Sequence, residues 1–254
     1  MNLERILKNC QSKFTVENLK NIPLKGISTN SKEIKDNFLF GAIKGKNFDG
    51  EKFIKDLIVF KNLAIVISTK SNSKIYRKNK NITIIKTKDV RKLIAEISYF
   101  FYPKSINEIV AITGTNGKTS VAEYTRQIWN FQKVNCCSIG TLGIIYKQKK
   151  LFDTKLTTPE PDETNRSLSF LSKKGCEKAV IEASSIGLEQ NRLFPFKFNK
   201  VVFTNLTIDH LDYHKSFEKY KSSKGLLFQH HINDKSVGII NADSPYSTFF
   251  QNLC

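Results

Sequence analysis

The segment Gly114-Thr115-Asn116-Gly117-Lys118-Thr119-Ser120 sets a mobile cation and a hydroxyl directly behind a glycine turn, a combination that handles phosphate. The β-branched run Ile109–Thr113 ahead of it reads as a buried strand, and Val121–Gln132 after it is compatible with a helix. In that order, backbone N–H groups and the positive end of a helix dipole face an anion, Lys118 adds charge, and the Thr119 hydroxyl can ligate Mg²⁺. The strict pattern GxxxxGK[ST] is not met, because Ile112 stands where its first glycine belongs. The match is to a shorter form, GTNGK[ST]. A bare Gly-Lys-Thr is usually a surface turn; the strand before it and the helix after it point to a nucleotide site.

Further groups of reactive residues lie where strands end. Thr157-Thr158-Pro159-Glu160-Pro161 is a rigid turn whose two hydroxyls suit either a polar ligand or the N-terminus of a helix over 162–174. Glu182 closes the apolar stretch AVIEA before Ser184-Ser185. A carboxylate there either positions Mg²⁺ beside a phosphate loop or is a solvated strand end. Gln190 and Arg192 offer an amide and a guanidinium to an anionic substrate, with a surface ion pair as the ordinary alternative for Arg192. Residues 203–214, FTNLTIDHLDYH, pack two aspartates and two histidines after another strand, suited to metal binding, proton transfer or nucleotide contact. His214 is equally readable as a buried structural histidine, and Lys224 lies on a helix whose lysines ordinarily face solvent.

The elements that must carry these groups alternate strand with helix. Residues 1–88 read as a small α/β unit, with a helix over 4–11, a strand over 37–43, a helix over 50–63, and strands over 64–68 and 82–86. Asp89 can cap a helix over Val90–Phe101, which ends before Pro103 and is the hinge into a second unit; the strand–helix alternation of that unit starts near Lys104, and the helix is counted with it in a domain over 89–254. That unit takes strands over 109–113, 135–139, 178–183, 200–205 and 236–241, a hairpin over 142–151, and helices over 119–131, 162–174 and 216–229. The chain is therefore expected to be α/β. A small N-terminal α/β domain precedes a P-loop-type, mainly parallel sheet domain with flanking helices and the phosphate site at a strand's C-terminal end.

Composition narrows the function further. The formal charge of +18 would ordinarily suggest nucleic acid, but the cations are mostly lysine and are spread along the whole chain. We therefore expect no nucleic-acid partner. No run of about 18 apolar residues occurs, and the N-terminus MNLERILKNCQSKF lacks a signal-peptide core, so neither membrane contact nor export is expected and the location is read as cytoplasmic. Five cysteines, Cys10, Cys136, Cys137, Cys176 and Cys254, show neither CxxC spacing nor a histidine cluster and read as reduced thiols.

Taken together, GTNGKTS at 114–120, TTPEP at 157–161, EASSIGLEQNR at 182–192 and FTNLTIDHLDYHKSFEKYKSSK at 203–224 resemble the Mur ligases of peptidoglycan synthesis. The MurE type, which joins a diamino acid to UDP-N-acetylmuramoyl-L-alanyl-D-glutamate, is the nearest likeness. STNSKEIKDNFLFGAIKGKNFDGEKFI at 28–54 also resembles that family's uridine-diphosphate-binding domain, and the likeness runs from about residue 20 to about 245. Folate polyglutamate ligases share the phosphate loop but not TTP combined with DHLDYH. The resemblance implies that Gly114–Ser120 hold ATP phosphates, with Lys118 on the γ-phosphate and Thr119 on Mg²⁺. It adds Glu182, His210 and Lys224 as metal-associated groups, Lys224 as a carbamate. Thr157, Thr158, Ser184, Gln190 and Arg192 would bind the muramoyl dipeptide, and Ser31, Lys46 and Asn47 the uridine diphosphate.

Three positions depart from the family pattern: Lys32 for arginine, Ile186 for histidine and Ile208 for a polar residue. The larger departure is length. The family adds a C-terminal domain that completes the ATP site and selects the diamino acid, so the chain is expected to be truncated and that domain supplied elsewhere. The implied chemistry is an acyl phosphate on D-glutamate attacked by the amine of diaminopimelate or lysine. The alternatives are a non-catalytic fragment that binds UDP-muramoyl peptide or nucleotide, and a folate polyglutamate-type ligase.

Overall fold

A computed structural model describes residues 1–45, 49–72 and 81–254, so Lys46 and Asn47 lie outside the described residues. Two compact units result, Met1–Pro103 with Pro161–Asn165, and Lys104–Glu160 with Arg166–Cys254.

The first unit is built on five strands, β1 (Phe14–Glu17), β2 (Gly26–Ser28), β3 (Phe38–Gly41), β4 (Leu63–Ser68) and β5 (Ile82–Thr87), in the order β1-β5-β4-β3-β2. All neighbours are parallel except β1, which runs antiparallel to β5. β4 and β5 are covered on both faces, and successive side chains alternate between them. Ala64, Val66 and Ile85 meet Leu3, Ile6, Leu93, Ile94 and Ile97 on one side. Ile65, Ile67, Ile82 and Ile84 meet Ile54 and Leu57 on the other.

Three expectations need correction here. The second unit starts at Lys104, where the alternation was expected to begin, but the helix Val90–Phe101 belongs with the first unit rather than the second, because it buries Leu93, Ile94 and Ile97 in that unit's core. Asp89 does cap it, accepting from the Lys92 amide at 2.9 Å. The helix expected over 50–63 is cut to a 3₁₀ turn at Gly50–Phe53 and one α-turn at Ile54–Leu57; Asn62 then takes φ +51° and Leu63 enters β4. Strands β1 and β2 were not foreseen; each is only three or four residues long.

The second unit carries seven strands, β6 (Glu108–Thr113), β7 (Cys136–Gly140), β8 (Gly143–Tyr146), β9 (Lys149–Phe152), β10 (Lys178–Glu182), β11 (Lys200–Phe203) and β12 (Val237–Ile240). Their order is β12-β11-β6-β10-β7-β8-β9. The first five in that order are parallel, and the hairpin β8–β9 continues the sheet antiparallel. Ala179, Val180 and Ile181 of the central strand β10 are fully buried, as a strand between two parallel neighbours requires. Helices Lys118–Phe131, Pro161–Lys173 and Phe217–His230 form near their expected positions. Pro161 supplies the favoured first position of the second, and the Ser216 hydroxyl caps the third at the Lys219 amide. This order sends the segments after β6, β7, β10 and β11 to one edge of the sheet, where the sequence had placed its reactive groups. All five cysteines are free. Among the described residues no helix is long and apolar enough to cross a membrane.

Candidate active site

The turn after β6 is held from below by the segment after β11. The Thr115 amide donates to the Asn205 carbonyl at 2.9 Å, the Asn116 amide to Asn205 Oδ1 at 2.9 Å, and the Thr204 hydroxyl to the Asn116 carbonyl at 2.7 Å. Gly114 has φ +151°, and a Cβ there would run into Thr204 Oγ1, so both conformation and space demand glycine. Gly117, at φ +81°, opens the helix Lys118–Phe131. The first-turn amides of that helix, those of Lys118, Thr119 and Ser120, have no carbonyl within the helix to take them. Asn116, Gly117 and Ser120 are exposed. Lys118 folds over the turn, its Nζ donating to the Gly114 carbonyl at 2.9 Å and the Thr115 carbonyl at 2.8 Å. Burial lowers its pKa, against the opposing pull of Glu182 and Asp209.

Glu182 meets this turn from the neighbouring strand. Pairing of Glu182 with Ile112 sets the carboxylate beside the start of the helix, and Thr119 Oγ1 donates to Glu182 Oε2 at 2.8 Å. The other oxygen, Oε1, accepts from the Thr141 amide at 2.8 Å, just beyond β7. Gly140 lies directly under the carboxylate, where any Cβ would overlap it. The Thr141 hydroxyl lies 3.3 Å from Glu182 Oε2 and 3.1 Å from Thr157 Oγ1.

Lys224 reaches the same turn from the helix Phe217–His230. It is 1% exposed, and its Nζ donates to the Gly114 carbonyl at 2.7 Å, the oxygen that Lys118 also uses. Burial first, and the neighbouring Lys118 charge second, bring its pKa down to about 7, so neutral amine is plentiful at physiological pH. Tyr220, one turn earlier, lies 4.3 Å under that ammonium and meets Thr115 Oγ1 at 3.0 Å. His210 takes φ +52° and is exposed, its ring edge-on to Tyr220 with centroids 6.1 Å apart. Among the described residues no contact joins His210 to Glu182 or Thr119. Thr119, Glu182 and Lys224 are thus gathered at one turn and His210 stands beside it.

The residues expected to bind an acceptor form one connected row. Thr158, fully buried, donates to the Glu182 carbonyl at 2.8 Å and meets Ser184 Oγ at 3.0 Å. Ser184 caps the short helix Ser185–Glu189 through the Gly187 amide at 3.1 Å. Arg192 donates to the Thr158 carbonyl at 2.8 Å and to Gln190 Oε1 at 2.7 Å, with Glu160 Oε1 3.6 Å from Nε. Gln190 Nε2 donates to Tyr213 Oη at 3.0 Å. Thr157 and Ser184 are only half-buried, whereas Thr158 and Arg192 brace the row from within. Ser31 lies in the first unit, in a 3₁₀ turn at Ser31–Glu33 capped by the Asn30 side chain.

Thr141 is not signalled in the sequence, and Asp209 is read there only as one of the two aspartates of the 203–214 cluster. Thr141 follows a strand with no acid or base in it, and nothing local signals that its amide meets a carboxylate 41 residues on. Asp209 sits inside the dense cluster and draws on both Lys118 and Lys224 electrostatically.

No group of three or more His, Cys, Asp or Glu among the described residues could by itself hold a metal. What the chain offers is the Thr119 hydroxyl against the Glu182 carboxylate. Such hard oxygen donors fit a small divalent cation that takes one or two protein oxygens and fills its remaining positions with water and phosphate.

The Mur ligase middle domain matches residues 112–254, and the chain belongs to the Mur ligase family. It is 38% identical over 223 residues to the UDP-N-acetylmuramoyl-L-alanyl-D-glutamate--2,6-diaminopimelate ligase of Rickettsia rickettsii, covering 87% of this chain and 45% of that protein. Against ligase 2 of the same name from Clostridium acetobutylicum it is 37% identical over 247 residues, covering 96% and 49%. A solved structure of a 2,6-diaminopimelate ligase of that name superposes with a TM-score of 0.73 at 25% identity, covering 91% of this chain and 46% of that one. The chain spans about half the length of the curated relatives it matches.

Proposed function

We propose that this chain carries the phosphate-handling and carboxylate-activating groups of an ATP-dependent ligase. That ligase joins a diamino acid, diaminopimelate or lysine, to UDP-N-acetylmuramoyl-L-alanyl-D-glutamate. The observation that carries the reading is Lys224. It is a lysine 1% exposed, its amine held on the main chain of the phosphate turn and brought to about 7 by burial there. It suits capture of CO₂, because a neutral amine forms a carbamate, which converts a cation into an oxygen ligand. The names of the relatives support the choice of acceptor.

In this reading the open amides after Gly117 and the Lys118 ammonium hold the terminal phosphate of ATP. Lys118 must leave the Gly114 and Thr115 carbonyls to do so. An oxygen of the acceptor carboxylate attacks the γ-phosphorus, the bond from phosphorus to the bridging oxygen breaks, and ADP departs. The incoming amine then attacks the acyl carbon, loses a proton, and inorganic phosphate leaves with the second electron pair. A divalent cation at Thr119 and Glu182, Mg²⁺ in our reading, would supply neutralisation of phosphoryl charge. Glu182 is oriented for this by the Thr141 amide, while Thr157 and Ser184 offer hydroxyls to the acceptor.

The test supplies the protein with ATP, Mg²⁺, the UDP-muramoyl dipeptide and either diamino acid, and follows phosphate release and the tripeptide product by mass. Release that requires all four supports the reading. Nucleotide and acceptor binding with no turnover replaces it with a non-catalytic binding role, and release with a folate acceptor instead replaces it with a folate ligase.

A further inference from the structure

Ser185, His214 and Glu189 are connected as a hydroxyl, an imidazole and a carboxylate. His214 Nε2 lies 3.0 Å from Ser185 Oγ, and Nδ1 lies 3.0 Å from Glu189 Oε2. A carboxylate only accepts, so Nδ1 carries the proton and Nε2 accepts from the Ser185 hydroxyl. The connectivity is that of a nucleophile with its base, but Ser185 is 1% exposed and His214 3%, so no substrate reaches the hydroxyl. Ser223 completes the group, 3.3 Å from His214 Nδ1 and donating to Glu189 Oε2 at 3.1 Å.

The placement of the two ends gives the group a purpose. Ser185 is the residue after Ser184, and the helix it begins, Ser185–Glu189, leads directly into Gln190 and Arg192. Ser223 is the residue before Lys224, on the helix Phe217–His230. His214 ends the intervening helix Leu211–His214, directly after Tyr213, which holds Gln190. One imidazole thus touches both the helix beside the acceptor row and the helix bearing the buried lysine.

We propose that His214 is a positioning residue that pins both ends of the helix Ser185–Glu189, Ser185 at Nε2 and Glu189 at Nδ1, and ties that helix to the one bearing Lys224 through Ser223. The assignment of the two sides as acceptor and carbamate rests on the function proposed above; the mechanical link does not. Helices of five and four residues have little stability of their own, so this contact sets where Ser184 and Gln190 stand.

The two nitrogens can be separated by substitution. His214→Asn places an amide N–H near Nδ1 and keeps Glu189 while losing Ser185; His214→Gln reaches toward Nε2 and does the reverse. Amide hydrogen exchange on the whole chain is expected to show both variants losing protection at residues 185–192, since each releases one end of that helix, while the amides of 217–230 hold. Calorimetry with UDP-N-acetylmuramoyl-L-alanyl-D-glutamate is expected to show about a tenfold weaker affinity for either variant. A ¹³C-bicarbonate carbamate signal at Lys224 is expected to fade in the Gln variant alone, because only that variant also loses Ser223. Ser185→Ala is expected to reproduce the loss at 185–192, and Ser223→Ala the fading carbamate, if either histidine variant fails to fold. Parallel loss of protection throughout the unit, or no change in either variant, overturns the proposal. Wild-type protein that binds no acceptor and gives no carbamate overturns the function instead, and the exchange pattern then decides the positioning role alone.

Discussion

Lys118 and Lys224 place two ammonium groups on the Gly114 carbonyl oxygen, at 2.9 and 2.7 Å. That crowding favours a neutral amine at Lys224, the more buried of the two. Lys224→Arg substitutes a guanidinium that stays charged and cannot take up CO₂, so the ¹³C carbamate signal is expected to vanish and phosphate release with it. Lys118→Ala removes the charge intended for the phosphoryl group and is expected to slow phosphate release about 10²–10³-fold, measured at saturating nucleotide. The cradle was legible because GTNGKTS is contiguous and each residue's role is local. Glu182 was legible from its place at the end of an apolar strand. Thr141 was not, because its contact with Glu182 arises only from β7 lying beside β10. Arg192 read as a substrate group or a surface ion pair; in the fold its guanidinium also donates to the Thr158 carbonyl and Gln190 Oε1. No local pattern announces those contacts.

Strands β6, β10 and β7 set Glu182, Thr119 and Thr141 against one another, and Gly140 is the point where this packing has no slack. Gly140→Ala would drive a methyl group into the Glu182 carboxylate. Overpacking of this kind costs about 1–3 kcal/mol, and here it also turns the carboxylate away from Thr119. Metal-dependent nucleotide affinity, measured by calorimetry with and without Mg²⁺, is expected to lose its metal increment while metal-free affinity holds. Gly187→Ala meets the buried Thr158 side chain and is expected to weaken acceptor binding instead. At this scale the long parallel strands were readable, since β-branched runs buried on both faces leave a continuous apolar signature. The strands Phe14–Glu17 and Gly26–Ser28 left none, being short and lying at the two edges of their sheet.

The division of the whole molecule into two units was legible, but its position was displaced by one helix. An amphipathic helix declares that it has a partner, not on which side of it in the chain that partner lies. Acid stability is the global property the structure constrains best. His231 is 4% exposed, shares a hydrogen bond of 2.9 Å with the Phe196 carbonyl, and is held down to about 4 by burial. Its folded-state value lies below the ordinary 6.5, so the contribution is complete above pH 6.5 and is lost as pH falls toward 4. The difference corresponds to about 3 kcal/mol. Urea unfolding of wild type between pH 7 and 4 is expected to show that decline. His231→Asn, which retains an N–H for Phe196 but does not titrate, is expected to flatten it.

The Gly114 carbonyl also bears on how this site can change by mutation. The oxygen that both ammonium groups share belongs to the main chain, and no codon change can delete it. Either lysine can be lost singly, and the survivor still finds its acceptor. A lineage that abandons the chemistry would therefore be expected to lose its lysines first and keep the turn, leaving Gly114 and its supports from Thr204 and Asn205 as the last legible trace of the ancestral site.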